Sequence, residues 1–258
     1  GAIDQRLKRS LKTVFVQRIF NQVWSENGQV VPFYLEIREN KLWLPNFATD
    51  YFRTFATQYI AFLERDEKLV NQQLTLEQIE EYGKTKPVEL LKQDVVSLQK
   101  DRAIQDYDSM WRTANTAPHR YASFYDQRFL VILDEFQYIT RYIYRDETCL
   151  SNPDETLAGS FHSLSESKLA PMLVTGSYVG WLLNIMGEYL EAGRLTPIDF
   201  SPYLTREAGL EAVYRYAEVY NTPVTNETAP QINELCMADP FFISCVMQSQ
   251  YEGRDLTH

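Results

Sequence analysis

Two acidic residues, Asp134 and Glu135, close the apolar run Phe129-Leu130-Val131-Ile132-Leu133. A continuous apolar run of that length suits a strand buried on both faces of a parallel sheet. A carboxylate at the C-terminal tip of such a strand faces the crevice in which open α/β sheets take ligands. There the second carboxylate, Glu135, could polarise a water for attack. The same pair also reads as two solvated acids ending a strand.

A second candidate lies near the start of the chain. Arg6-Leu7-Lys8-Arg9-Ser10-Leu11-Lys12-Thr13 runs directly into a helical pattern. Lys12 and Thr13 match the last two positions of the phosphate-cradling pattern G-x-x-x-x-G-K-[ST], but Arg6 and Leu11 stand where it has glycine. Glycine there permits unusual backbone angles and lets amide groups approach an anion closely, and Leu11 adds a Cβ at that place. The helix that follows offers unbonded amides and the positive end of its dipole. The alternative is the basic first turn of a solvated helix. Thr175 and Ser177, at the end of Pro171-Met172-Leu173-Val174-Thr175, and Arg194, in Gly193-Arg194-Leu195, are further candidates. Capping of a strand–helix junction would equally explain Thr175 and Ser177, and a surface arginine would explain Arg194.

The elements that must position these residues follow from periodicity. Val14, Phe15, Ile19, Phe20, Val23 and Trp24 give an amphipathic helix over 13–26, ended by Gly28. Residues 30–37 form a β-rich run, and Tyr51 to Leu63 carry the buried face of the next helix. Residues 75–115 are charged and helical and read as an insertion on the surface of the sheet. After the strand at 129–133, helices are expected from Phe136 and over 155–168. A strand at 171–175, a helix over 179–190 and a short strand near 196–200 follow. This alternation predicts an α/β fold, a doubly wound and mostly parallel sheet, over 1–200. Beyond Pro202 only helices are expected, at 205–220, 227–238 and from Pro240, which Asp239 caps. They form a small helical domain at 201–258.

Four markers in this order resemble the archaeal-type and STAND-type ATPases of the AAA+ group, within the P-loop NTPase superfamily. Their phosphate loop often reads G-P-R-R-x-G-K-[ST], and Lys8-Arg9-Ser10-Leu11-Lys12-Thr13 has the same basic layout. Their strand ending in D-E-F-Q is matched by Val131-Ile132-Leu133-Asp134-Glu135-Phe136-Gln137, and their T-G-S by Thr175-Gly176-Ser177. Gly193-Arg194 fits the Gly-Arg pair that precedes a helical lid, and Pro202-Tyr203-Leu204-Thr205-Arg206-Glu207 is similar to the lid entry. The resemblance covers residues 2–220. It implies ATP and magnesium as cofactors. Lys12 would contact the β- and γ-phosphates, with Ser10 and Leu11 in the loop. Thr13 and Asp134 would hold the metal. Glu135 would orient the hydrolytic water, Ser177 would sense the γ-phosphate, and Arg194 would act as an arginine finger or sensor.

Composition limits the alternatives. A formal net charge of −10 disfavours a global grip on nucleic acid, leaving such contacts to regions outside this chain. Cys149, Cys236 and Cys245 are far apart and read as reduced residues of a cytoplasmic protein. His119, His162 and His258 lack metal-ligand spacing. No apolar run is long enough to span a bilayer, so no membrane partner is expected. Two readings remain. One is an ATPase or nucleotide switch that hydrolyses ATP between core and lid. The other is a catalytically inactive relative that acts as a protein-interaction module, with a protein partner or self-association.

Overall fold

The computed structural model describes residues 11–190, 195–198, 201 and 203–248. Two compact units divide the chain: Phe15–Thr196, and Gly1–Val14 with Pro197–His258.

The larger unit is built mainly from helices. α1 (Leu11–Glu26), which enters this unit at Phe15, places Val16, Phe20 and Trp24 four residues apart, so they share one face and are buried together. β1 (Val30–Glu36) and β2 (Leu42–Trp43) lead into α2 (Leu44–Glu64). Pro45 sits in the first turn of α2, where its missing N–H costs nothing, and Arg65 ends the helix in a left-handed conformation. Then come α3 (Glu67–Val70), α4 (Leu76–Thr85), α5 (Glu89–Ala103), α6 (Tyr107–Asn115) and α7 (Ala117–Phe124). Thr75 and Gln78 close a reciprocal capping box at the start of α4. β3 (Arg128–Asp134), β4 (Ile143–Tyr144), β5 (Met172–Val174) and α8 (Val179–Tyr189) complete the unit.

The doubly wound, mostly parallel sheet expected from the sequence does not form. The described strands make two small parallel sheets, one of three strands in the order β1-β3-β5 and one pairing β2 with β4. The physical reason lies between β1 and β3. The apolar residues there repeat at helical period, so 44–124 folds into α2–α7 and supplies no further long strand. Residues 75–115 are not a surface addition either. Ile79, Leu91, Val95, Leu98, Met110 and Trp111 are buried in the same core as the sheet. The helices expected after β3 are 3₁₀ segments instead, at Phe136–Thr140, Glu155–Phe161 and Leu164–Glu166. Residues 196–198 are not a strand, and 199–200 lie outside the described residues.

The core is aromatic. Phe33, Tyr51, Phe52, Phe55, Tyr121, Phe129, Phe136 and Phe161 are almost fully buried. Phe55 meets Tyr121 edge-on at 5.0 Å and Phe33 at 5.4 Å, a favoured geometry for aromatic pairs. β1 is an edge strand of the described sheet, and two features blunt its open side. The Arg128 amide of β3 donates to the Gln29 carbonyl and the Ile37 amide donates to the Asp134 carbonyl of β3, so the backbone groups of odd-numbered residues of β1 face β3. Pro32 therefore faces the open side, where its lack of an N–H breaks no ladder bond. Tyr34 also faces it, and the Gln58 carboxamide takes both its amide and its carbonyl at 2.8 Å.

The smaller unit holds α9 (Arg206–Val219), α10 (Thr228–Leu235) and α11 (Pro240–Gln248). Val213, Ala229, Ile232, Cys236, Ile243 and Met247 are its core. Pro240 opens α11, and Asp239 accepts the Phe241 amide at 2.8 Å. Among the described residues no helix is long and apolar enough to cross a membrane.

Candidate functional site at the strand tips

Asp134 and Glu135 sit at the end of β3, the central strand, and Thr175 and Ser177 follow β5 beside it. The continuous register Val131↔Met172 to Leu133↔Val174 carries Thr175 level with Asp134. The sheet therefore brings together four of the residues singled out in the sequence. It holds them through two carboxylate–hydroxyl pairs. Thr175 donates its hydroxyl to Asp134 Oδ1, and Ser177 donates its hydroxyl to Glu135 Oε1.

Asp134 is 1% exposed. Burying a carboxylate is costly unless donors surround it. Besides Thr175, the Tyr34 hydroxyl donates to Oδ2 at 3.1 Å and the Glu135 amide donates to Oδ1 at 3.0 Å. Burial first, and then the negative charge of Asp134, push the Tyr34 hydroxyl well above the usual phenol range. Tyr34 thus stays a proton donor to the carboxylate. Gln17 of α1 in turn donates to the Tyr34 oxygen at 3.4 Å.

Glu135 has φ 55° and ψ 38°, a left-handed conformation that costs a non-glycine residue roughly 1 kcal/mol or more. Its side chain is tied down on both oxygens. Oε2 accepts from Gln137 Nε2 at 2.5 Å and from the Ser177 amide at 3.1 Å, while Oε1 takes the Ser177 hydroxyl. Gln137 is fully buried, and its Oε1 has no hydrogen-bond partner. That oxygen lies 2.1 Å from where a Cβ would stand on Gly176, so any side chain there would require the Gln137 carboxamide to move.

The remaining sequence candidates are placed as follows. Leu11 opens α1, and Lys12 and Thr13 lie in its first turn, which carries no acidic residue. Lys12 and Thr13 belong to the compact unit that includes Gly1–Val14. Ser10 and Arg194 lie outside the described residues.

Magnesium is usually held by one or two carboxylates, retained waters and the phosphates of its ligand, rather than by a full protein cage. Asp134 would take part only through an intervening water, because its oxygens already take hydroxyl and amide donors. No group of three or more His, Cys, Asp or Glu among the described residues could hold a metal by itself.

Sequence reasoning missed Tyr34, and quoted Gln137 without a role. It offered capping for Thr175, whose hydroxyl instead goes to Asp134. Tyr34 lies 100 residues from Asp134, and no local spacing signals that contact. Compared with known proteins, the chain matches no protein-family model, no curated protein and no solved structure.

Proposed function

We propose that the chain binds a nucleoside triphosphate with magnesium, and that Glu135 orients the water that attacks the terminal phosphate. The observation that supports this reading is the pair of adjacent carboxylates at the tip of a central parallel strand, each held by a hydroxyl from the strand beside it. Open sheets take ligands at these tips. Backbone strain at Glu135, which the surrounding hydrogen bonds sustain, is a common mark of a functional residue.

Magnesium, when bound, would neutralise charge on the phosphates. The chain's own groups would do the rest. Tyr34 and Thr175, donating to its two oxygens, would hold the Asp134 carboxylate in one orientation, from which it would meet the cation through a water. By the resemblance alone, Lys12 would contact phosphate oxygens. Glu135 would accept a hydrogen bond from the attacking water on Oε1 once the Ser177 hydroxyl turns away. Ser177 thereby senses whether that water is in place. The test is phosphate release from ATP by the wild type and by Glu135→Gln. A loss of about 100-fold or more in the variant, with ATP still bound, supports the role of Glu135 as a water-positioning base. Equal rates would remove it.

A second reading is a catalytically inactive interaction module. Leu11 in place of a loop glycine favours it, as do the three donors already on the Glu135 carboxylate. It predicts no heat on titration with Mg-ATP, and recovery of some binding when glycine is restored at Arg6 and Leu11.

A further inference from the structure

A cavity of about 330 Å³ opens beside the C-terminal end of β1, bounded by α2 and by residues 70–73. Its volume falls in the range of small-molecule sites. Asp50 and Arg38 both line it, and they do not bridge each other. The Asp50 carboxylate meets Arg53 only at 3.8 Å and accepts no hydrogen bond from a described residue. Arg53 is engaged elsewhere, donating to the carbonyl oxygens of Leu74 at 2.7 Å and Gln73 at 3.2 Å. Burial pushes the Asp50 carboxyl above its ordinary pKa, against the pull of Arg53 and Arg38. A partly desolvated carboxylate of this kind gains from a cation placed in the cavity. The Arg38 guanidinium makes no hydrogen bond or ion pair with a described residue. Its fork of N–H donors matches a carboxylate in bidentate fashion. Leu42, Phe47, Val70 and Ile143 give the same cavity an apolar wall.

We propose that this cavity binds a small zwitterion of the free amino-acid class, with its ammonium group on Asp50, its carboxylate on Arg38 and an apolar side chain on Phe47 and Ile143. Opposite charges that share a cavity without pairing are complementary to a ligand carrying both. Neither charge alone would satisfy the other wall.

The experiment is calorimetry and thermal shift on the full chain, without nucleotide, against each standard free amino acid. The best binder is then compared with its decarboxylated amine and its deaminated acid, and titrated into Asp50→Asn and Arg38→Ala. Neither residue is buried, and a melting curve checks each variant's fold. We expect an amino acid with an apolar side chain to bind, and each analogue and each variant to lose about tenfold or more in affinity. Absence of heat and of a melting shift across all amino acids overturns the proposal. So does an analogue that binds as well as the amino acid, or a binder indifferent to either variant. Because no nucleotide is present, the outcome is independent of any phosphate site.

Discussion

Asp134 shows how a single buried charge is made tolerable. Its carboxylate takes hydroxyls from Tyr34 and Thr175 and the amide of Glu135. Hydrogen bonds to a charged group contribute roughly 1.5–3 kcal/mol each, and an unsatisfied buried acceptor costs a similar amount. Thr175→Val keeps the shape and removes one donor, so it should destabilise the larger unit by about 2 kcal/mol, read as a lower urea midpoint at unchanged slope. At Gly176 an added Cβ would stand 2.1 Å from Gln137 Oε1. Gly176→Ala should therefore push Gln137 off Glu135 and cost about 1–3 kcal/mol, with loss of any Glu135-dependent activity. A variant with wild-type stability and rate would show that Gln137 does not position Glu135. At this scale the placement of Asp134, Glu135 and Ser177 beside the strand ends was legible, because acids and hydroxyls at the ends of apolar strands are local patterns. Tyr34 was not, because its role comes from strand register across 100 residues of chain.

At the scale of elements, α2 and the sheet share one aromatic core, and Phe55 is at its centre. Phe55 packs against Phe33, Tyr59, Tyr121 and Phe129. Phe55→Ala should cost about 3–5 kcal/mol by chemical denaturation, since a cavity among rigid rings closes poorly. In the smaller unit α9 approaches α10 closely at Gly209, where a Cβ would stand 2.2 Å from Asn233 Oδ1 and 2.8 Å from the Ala238 Cβ. Gly209→Ala should be destabilising in a melting experiment, although alanine favours a helix by about 1 kcal/mol. The long elements were legible. The strands read at 30–37, 129–133 and 171–175 are observed at 30–36, 128–134 and 172–174, because continuous apolar runs bounded by breakers leave few alternatives. The number of strands was not legible. Apolar segments at 136–140 and 155–161 are too short for their period to separate an α-helix from a 3₁₀ turn. The two-residue strands β2 and β4 carry no periodicity at all.

Over the whole molecule, tyrosines give a pH signature. Burial pushes Tyr34, Tyr51 and Tyr59 far up, and burial together with Glu39 and Glu135 pushes Tyr138 up to about 12. These phenols resist ionising in the folded state, whereas unfolded tyrosine ionises near its ordinary value of about 10. Above that pH the unfolded chain binds fewer protons than the folded one, so stability must fall as pH rises. The stabilising effect is complete below about pH 10 and is lost towards each folded pKa. Unfolding free energy followed from roughly pH 8 to 11 should show this decline, and Tyr34→Phe should make it shallower. The net charge of −10 bears on partners in the same way, since it leaves a nucleotide-sized anion to be drawn by local groups rather than by the field of the whole chain. Titration calorimetry of Mg-ATP into the wild type and into Lys12→Ala tests the central claim most directly. The account predicts binding by the wild type that the variant loses; no binding, or binding that ignores Lys12, would contradict it.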